Sequence, residues 1–194
     1  QCLEEDPVFY GYDGVFLGRF TDPKNPQRIV GILECLQKQL QQTPLWQGQF
    51  QAAMIGDGEL YSSIQQLVKE RGLDQVIALP GYQSNPYKAL ASAKAFLMAS
   101  RYEGTPMSVL EAMALGVPVV STATDGIADV VKSGVTGYLE ETDEKLAERL
   151  KELLTDQEKQ KSMSEASKKR FAQICDRKKY RQTLDTVYQE NAVW

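Results

Sequence analysis

The sequence predicts an α/β sandwich of three layers: a parallel sheet of about six strands with helices on both faces. Three observations carry that expectation. Apolar runs of about four to six residues recur along the chain, each ending in a loop rich in Gly, polar and charged residues. Between them lie segments whose apolar residues fall at helical spacing. The runs also lack the in–out alternation of a half-exposed strand, so they read as strands buried on both faces, the pattern of parallel sheets.

Residues 1–13 read as an irregular lead-in with Pro7 and a turn cluster around Gly11 and Asp13. Val15-Phe16-Leu17 is a short strand ending at Gly18-Arg19-Phe20. A turn over 21–26 leads into a helix over 27–41, with Ile29, Ile32, Leu33, Leu36 and Leu40 on one face. Residues 50–55 form the next strand, closed by Gly56-Asp57-Gly58. A helix over 59–71 ends at Gly72, a natural C-terminal cap. Val76 to Leu79 is a strand ending at Pro80-Gly81-Tyr82, and Asn85-Pro86 opens a helix to Ser92. Residues 95–99 are a strand, followed by a loop through Glu103.

The helix after that loop is the most informative. Thr105 suits its N-cap and Pro106 its first helical position, where a missing N–H costs nothing. Met107, Leu110 and Ala114 recur at helical spacing; Gly116 suits the position past the end, and Pro118 blocks continuation. Strand 117–121, a short helix over 126–132 and strand 137–139 follow. Helical segments over 143–154, 157–173 and 177–190 close the chain.

Ligands on such sheets bind beyond the carboxyl ends of the strands, so the loops after each strand share one rim. The free N–H groups and dipole at the helix start near Thr105 make an anion site. Glu103 lies just outside that start. Glu111 lies roughly 7–8 Å along the axis. An anion there has a carboxylate on either flank, and carboxylates accept hydrogen bonds from sugar hydroxyls. Arg19 and Lys24, on one strand-end loop, suit a diphosphate. Arg19, Lys24 and Glu111 also have a plain reading as solvated surface charges, and Glu103 as a loop carboxylate that helps to cap the helix start. Gly56-Asp57-Gly58 is not a full dinucleotide fingerprint and reads as a turn that lets a backbone approach closely.

The 194 residues allow one sizeable core, and 42% hydrophobic with 25% charged residues is ordinary for a globular chain. A net charge of −4 argues against nucleic acid as the main partner. No apolar run approaches the roughly 20 residues of a membrane helix, and the acidic start does not read as a signal peptide. Gln1 in place of Met reads as a fragment or processed chain. The absence of histidine removes Ser-His-Asp and Cys-His catalysis. Cys2, Cys35 and Cys175 are too scattered for a zinc site or a disulfide framework, which suggests a reducing, cytoplasmic setting. The cations between Lys159 and Arg181 read either as a solvated helical face or as a patch for an anionic membrane's inner surface or a partner.

In order, the chain carries Gly18-Arg19-Phe20 with Lys24-Asn25, Ile55-Gly56-Asp57-Gly58, and Leu79-Pro80-Gly81-Tyr82. Then come Glu103-Gly104-Thr105-Pro106 with Glu111-Ala112-Met113-Ala114, and Gly134 with Gly137-Tyr138-Leu139. From about Gly14 to about Asp156 this resembles the nucleotide-sugar-binding C-terminal domain of GT-B retaining glycosyltransferases of family 4, the glycosyl transferases group 1. The resemblance implies a Rossmann-like fold over 14–156, all of 1–194 being one donor-binding domain, with the helices over 157–194 either docking on an acceptor-binding N-terminal domain outside this chain or packing on this one. It implies transfer of a sugar from a UDP- or GDP-sugar to an acceptor hydroxyl, and polysaccharide or glycoconjugate biosynthesis is the expected setting. No cofactor and no metal are implied, and the isolated fragment is expected to be inactive.

The resemblance also implies roles. Arg19 and Lys24 hold the donor diphosphate, and Glu103 reaches the donor sugar; these three are the candidate catalytic groups. Glu111 takes the ribose diol. Gly104, Thr105, Pro106, Met107 and Ser108 line sugar and phosphates, Leu79, Gly81 and Tyr82 face the base, and Gly18, Gly56 and Gly58 allow close approach. The chain departs from the pattern at Asn25-Pro26, where many members have a glycine after the lysine, and in the order of residues at Ala123, Asp125 and Gly126. Two other readings stay open: a GT-B nucleotide-sugar epimerase domain, and a non-enzymatic Rossmann-like interaction module.

Overall fold

The computed structural model describes residues 11–43, 46, 48–104 and 106–176. The strands are β1 (Gly14–Leu17), β2 (Ala52–Ile55), β3 (Ile77–Gly81), β4 (Ala95–Met98), β5 (Val119–Ser121) and β6 (Gly137–Leu139). The helices are α1 (Pro26–Gln41), α2 (Tyr61–Glu70), α3 (Tyr87–Ser92), α4 (Met107–Leu115), α5 (Asp125–Val130), α6 (Asp143–Thr155) and α7 (Gln157–Ile174). The strands form one six-stranded sheet in the order β3-β2-β1-β4-β5-β6, and every pairing is parallel.

Side-chain alternation along the strands splits the core into two apolar layers. Phe16, Met54, Leu97 and Val120 face one side, where they meet Ile29, Leu33 and Leu36 of α1, Ile64 and Val68 of α2, and Leu146 and Leu150 of α6. Val15, Ala53, Ile55, Phe96, Met98 and Val119 face the other, against Ala89 and Leu90 of α3, Val109, Ala112 and Met113 of α4, and Ile127 of α5. Register explains the split: Val15 lies beside Ala53 and Phe96, and Phe16 beside Met54. All residues of β2 and β4 are buried, as continuous apolar runs require of central parallel strands. Fully burying each such Leu, Ile, Met or Phe is worth about 1.5–3 kcal/mol.

Helix ends differ from the sequence expectation in detail. Pro106 is the N-cap of α4, and the helix begins at Met107. Pro106 therefore does not take the first helical position; its ψ of 77° is outside the helical region, so the chain turns into the helix one residue later. Thr105, expected as the cap, lies outside the described residues. The turn over 21–26 contains a 3-10 segment, Asp22–Lys24. Gly116 ends α4 with φ of 77°, the left-handed conformation that favours glycine. The caps of α6 and α7 are side chains: Thr142 accepts from the Lys145 N–H at 3.3 Å and Asp156 from the Lys159 N–H at 2.9 Å. No described helix is long and apolar enough to cross a membrane. The lead-in over 1–10, Cys2 and the segment 177–194 lie outside the described residues; Cys35 and Cys175 are free thiols.

Candidate functional site

The strand order reverses direction between β1 and β4, and in open parallel sheets a crevice forms beyond the carboxyl ends of such strands. The loops after β1, β2 and β3 are latched together there by backbone hydrogen bonds. The Gly18 N–H donates to the Ile55 carbonyl at 3.1 Å, Phe20 N–H to the Asp57 carbonyl at 2.9 Å, and Gly56 N–H to the Gly81 carbonyl at 2.9 Å. Gly56 has φ of 139°, and a Cβ on it would lie 2.0 Å from the Gly18 carbonyl oxygen. The close approach expected at this turn is thus first of all to the neighbouring loop. Phe20 is fixed from behind by edge-to-face contacts with Phe16 at 5.8 Å and Tyr61 at 5.2 Å.

A cavity of about 660 Å³ opens beside these loops, within the roughly 300–1,000 Å³ of small-molecule sites. Leu17, Gly18, Ile55, Gly56 and Gly58 line its inner wall, and Arg19, Tyr82, Tyr87 and Glu111 are also part of the lining. Tyr82 and Tyr87 are 75% and 46% exposed, so two aromatic rings stand at the mouth. Arg19 is exposed, and its guanidinium forms no ion pair with a carboxylate among the described residues. The Tyr87 hydroxyl donates to Glu111 Oε1 at 3.3 Å. The Glu111 carboxylate pushes the Tyr87 phenol above its ordinary pKa, burial adding to the shift, so the hydroxyl stays protonated as a donor.

Lys24 and Glu103 lie outside that wall and pair with each other. Lys24 Nζ is 2.7 Å from Glu103 Oε1, with side chains 26% and 6% exposed. The loop after β4 is further tied to the loop after β1 by the Arg101 N–H, which donates to the Pro23 carbonyl at 2.9 Å, and by an exposed Arg101–Asp22 ion pair at 3.4 Å. The first backbone bonds of α4 run from the Val109 and Leu110 N–H groups to the Pro106 carbonyl. The Met107 and Ser108 N–H groups therefore have no partner within the helix, as in any first turn. Gly104 and Met107 are exposed, Ser108 is partly exposed and Pro106 is buried. Of the base-facing candidates, Tyr82 lines the cavity. The Leu79 carbonyl accepts from the Tyr61 hydroxyl at 2.6 Å, and the Gly81 carbonyl is held by Gly56.

Both sequence departures acquire a structural reason. Asn25 has φ of 51° and ψ of 54°, so it takes the left-handed conformation that glycine adopts freely and Asn tolerates better than most residues. A Cβ on Gly126 would lie 1.9 Å from the Gly104 carbonyl oxygen. The start of α5 thus packs directly under the Glu103–Gly104 loop. Nearby, Ser100 Oγ and Thr124 Oγ1 are buried without a hydrogen-bond partner.

Sequence reasoning missed Tyr87, the Asp57 side chain, and Gln83, Ser84 and Pro86 as cavity residues. Their one signal was position: they lie in loops, or at a helix start, directly after strand ends. Among the described residues no three His, Cys, Asp or Glu side chains come together as a metal site.

Fold and site define a Rossmann-like α/β domain with a cavity beyond the carboxyl ends of β1, β2 and β3. The chain belongs to the glycosyl transferases group 1, whose family model matches residues 12–170. It is 32% identical over 137 residues to N-acetyl-alpha-D-glucosaminyl L-malate synthase of Bacillus anthracis, covering 70% of this chain and 36% of that protein. It is 32% identical over 126 residues to the Vi polysaccharide biosynthesis protein VipC/TviE of Salmonella typhi, covering 65% of this chain and 20% of that protein. The chain thus spans about a third or less of the length of these relatives. Its fold matches GT-B glycosyltransferase structures. The pneumococcal O-GlcNAc transferase GtfA, in complex with UDP and GlcNAc, aligns with a TM-score of 0.76 at 17% identity, over 91% of this chain and 36% of that one. Anabaena HepE, in complex with UDP and glucose, aligns with a TM-score of 0.75 at 20% identity, over 91% and 49%.

Proposed function

We propose that this chain is the donor-binding lobe of a retaining glycosyltransferase that takes a UDP- or GDP-linked sugar. The observation that carries the reading is the shared cavity: Arg19 and Glu111, far apart in sequence, line one space beside the close-packed Gly18, Gly56 and Gly58 backbone. In this reading Tyr82 and the end of β3 meet the base, Glu111 accepts from the ribose hydroxyls, and Arg19 holds the diphosphate. The Lys24–Glu103 pair and the α4 N-terminus lie along the same rim, where the donor sugar and leaving phosphate extend. Lys24 has three donors, so it binds a phosphate oxygen while keeping Glu103. The developing charge on the nucleoside diphosphate is then stabilised by Arg19, Lys24 and the first turn of α4, without a metal.

The acceptor surface belongs, in this proposal, to a domain outside these residues, and the 194-residue chain binds donor without turning it over. Biosynthesis of a polysaccharide or glycoconjugate is the setting the relatives' names favour. A thermal-shift panel of UDP-glucose, UDP-galactose, UDP-N-acetylglucosamine and GDP-mannose tests the reading, because a ligand that binds only the folded state raises the melting temperature. One donor family should shift the wild-type chain. Glu103→Ala should reduce the extra shift given by the sugar while keeping the shift given by the bare nucleotide. Equal loss of both contradicts the division of roles.

A further inference from the structure

We propose that Tyr87 is a positioning residue for Glu111 and thereby sets the preference of the site for a ribonucleotide over a deoxyribonucleotide. The proposal rests on the donor-site reading above.

Three observations lead to it. The Tyr87 hydroxyl donates to Glu111 Oε1 at 3.3 Å, and both residues line the cavity. Among the described residues this is the one side-chain hydrogen bond that Glu111 makes. Tyr87 is also mounted beside α4. It is the first residue of α3, whose Ala89 and Leu90 are buried in the same apolar layer as Val109, Ala112 and Met113 of α4. The two helices therefore carry donor and acceptor side by side.

The physical argument concerns freedom. A glutamate on a partly exposed helix face has several rotamers, and ordering it when a ligand arrives costs conformational entropy. A tyrosine has only two side-chain torsions and a fixed ring, so it is a low-entropy anchor. With Oε1 held by Tyr87, the carboxylate keeps its other lone pairs for a vicinal diol. At 3.3 Å the contact is longer than the usual O–H···O bond. A deoxyribose offers one hydroxyl fewer, so it loses one of the two bonds a pre-oriented carboxylate offers a vicinal diol, and part of the value of that orientation appears as discrimination between the two sugars.

The test is calorimetric binding of UDP and 2′-deoxy-UDP, or of GDP and 2′-deoxy-GDP if guanine is the base. The chains compared are wild type, Tyr87→Phe, Tyr87→Leu and Glu111→Gln. Glu111→Gln should collapse the ribo-to-deoxy affinity ratio. Tyr87→Phe should lower it by about three- to tenfold, the value of one hydrogen bond. Affinity for the deoxynucleotide should fall less than affinity for the ribonucleotide, and the ligand-free melting temperature should be little changed. Tyr87→Leu should reproduce the Tyr87→Phe ratio, because the hydroxyl is the operative group. If Tyr87→Phe keeps the wild-type ratio while Glu111→Gln collapses it, the Tyr87 proposal is overturned and the donor-site reading stands. If Glu111→Gln also keeps the ratio, or no nucleotide binds, the reading of the site fails and takes the proposal with it. A change with Tyr87→Leu alone assigns the ring a packing role and likewise overturns it.

Discussion

The Lys24 ammonium lies 2.7 Å from the Glu103 carboxylate across 79 positions of sequence, and the contact joins the loop after β1 to the loop after β4. The two partners differ in exposure, and that difference predicts an asymmetry. Lys24→Ala leaves a buried carboxylate without its partner, at a cost of about 1–3 kcal/mol. Glu103→Gln leaves an ammonium that still reaches water, so its cost should be the smaller. Urea denaturation of the two variants checks this; equal costs, or a larger one for Glu103→Gln, contradict the reading of the pair as a buried acid held by a part-exposed base.

Arg19 behaves differently because its side chain is exposed at the cavity rim. Arg19→Ala should leave the ligand-free melting temperature unchanged. It should weaken nucleoside diphosphate binding by roughly ten- to a hundredfold, since hydrogen bonds to charged groups are worth about 1.5–3 kcal/mol. Arg19→Lys should recover only part of that, because a lysine lacks the two-pronged geometry. Titration of each variant with UDP and GDP reads the effect directly.

Asn25 links backbone conformation to the position of Lys24. Its left-handed conformation leads into α1 at Pro26. Asn25→Gly should be neutral or stabilising, whereas Asn25→Val should cost about 1–2 kcal/mol or more, because a β-branched residue strains in that region. Thermal denaturation distinguishes the two. A tolerated valine means the turn is not held as described.

The α6–α7 corner carries a pH dependence. Burial acts to raise the Glu152 pKa, but hydrogen bonds, including those from Lys159 and Arg149, outweigh it and hold the carboxyl below its ordinary value. The sign follows from linkage. A carboxyl whose folded pKa is depressed contributes stability that is full above its unfolded pKa, about 4.3, and is lost as pH falls through the folded value. Glu152→Gln should therefore lower the melting temperature at pH 7, and the difference from wild type should shrink once pH falls below the unfolded value of about 4.3 and vanish below the folded one. A gap that persists at low pH assigns the residue a packing role instead.

The fold was legible because its signals are local. Apolar stretches such as Phe96-Leu97-Met98 mark buried strands, and Ile29, Leu33, Leu36 and Leu40 mark one face of a helix. Arg19 and Glu111 were legible as candidates because Arg19 follows a strand end and Glu111 lies on the helix after another, and both line the cavity. What was not legible depends on juxtaposition. Lys24 meets Glu103 because β1 pairs with β4, a neighbour relation that no spacing encodes. Tyr87 looked like an ordinary helix start; it matters because α3 packs beside α4. Gly56 read as a turn glycine and Gly126 as a helix start, yet each is required by a carbonyl from another loop. The left-handed turn at Asn25 was hidden because Asn tolerates it without being its signature.

Isothermal titration of UDP and GDP into this chain, repeated on Glu111→Ala, tests the donor cavity most directly. One nucleotide should bind saturably, and the variant should weaken it by about tenfold or more, as loss of hydrogen bonds to a charged group implies. No heat from either nucleotide at millimolar concentration, or full affinity in Glu111→Ala, contradicts the cavity as the place where the donor sits.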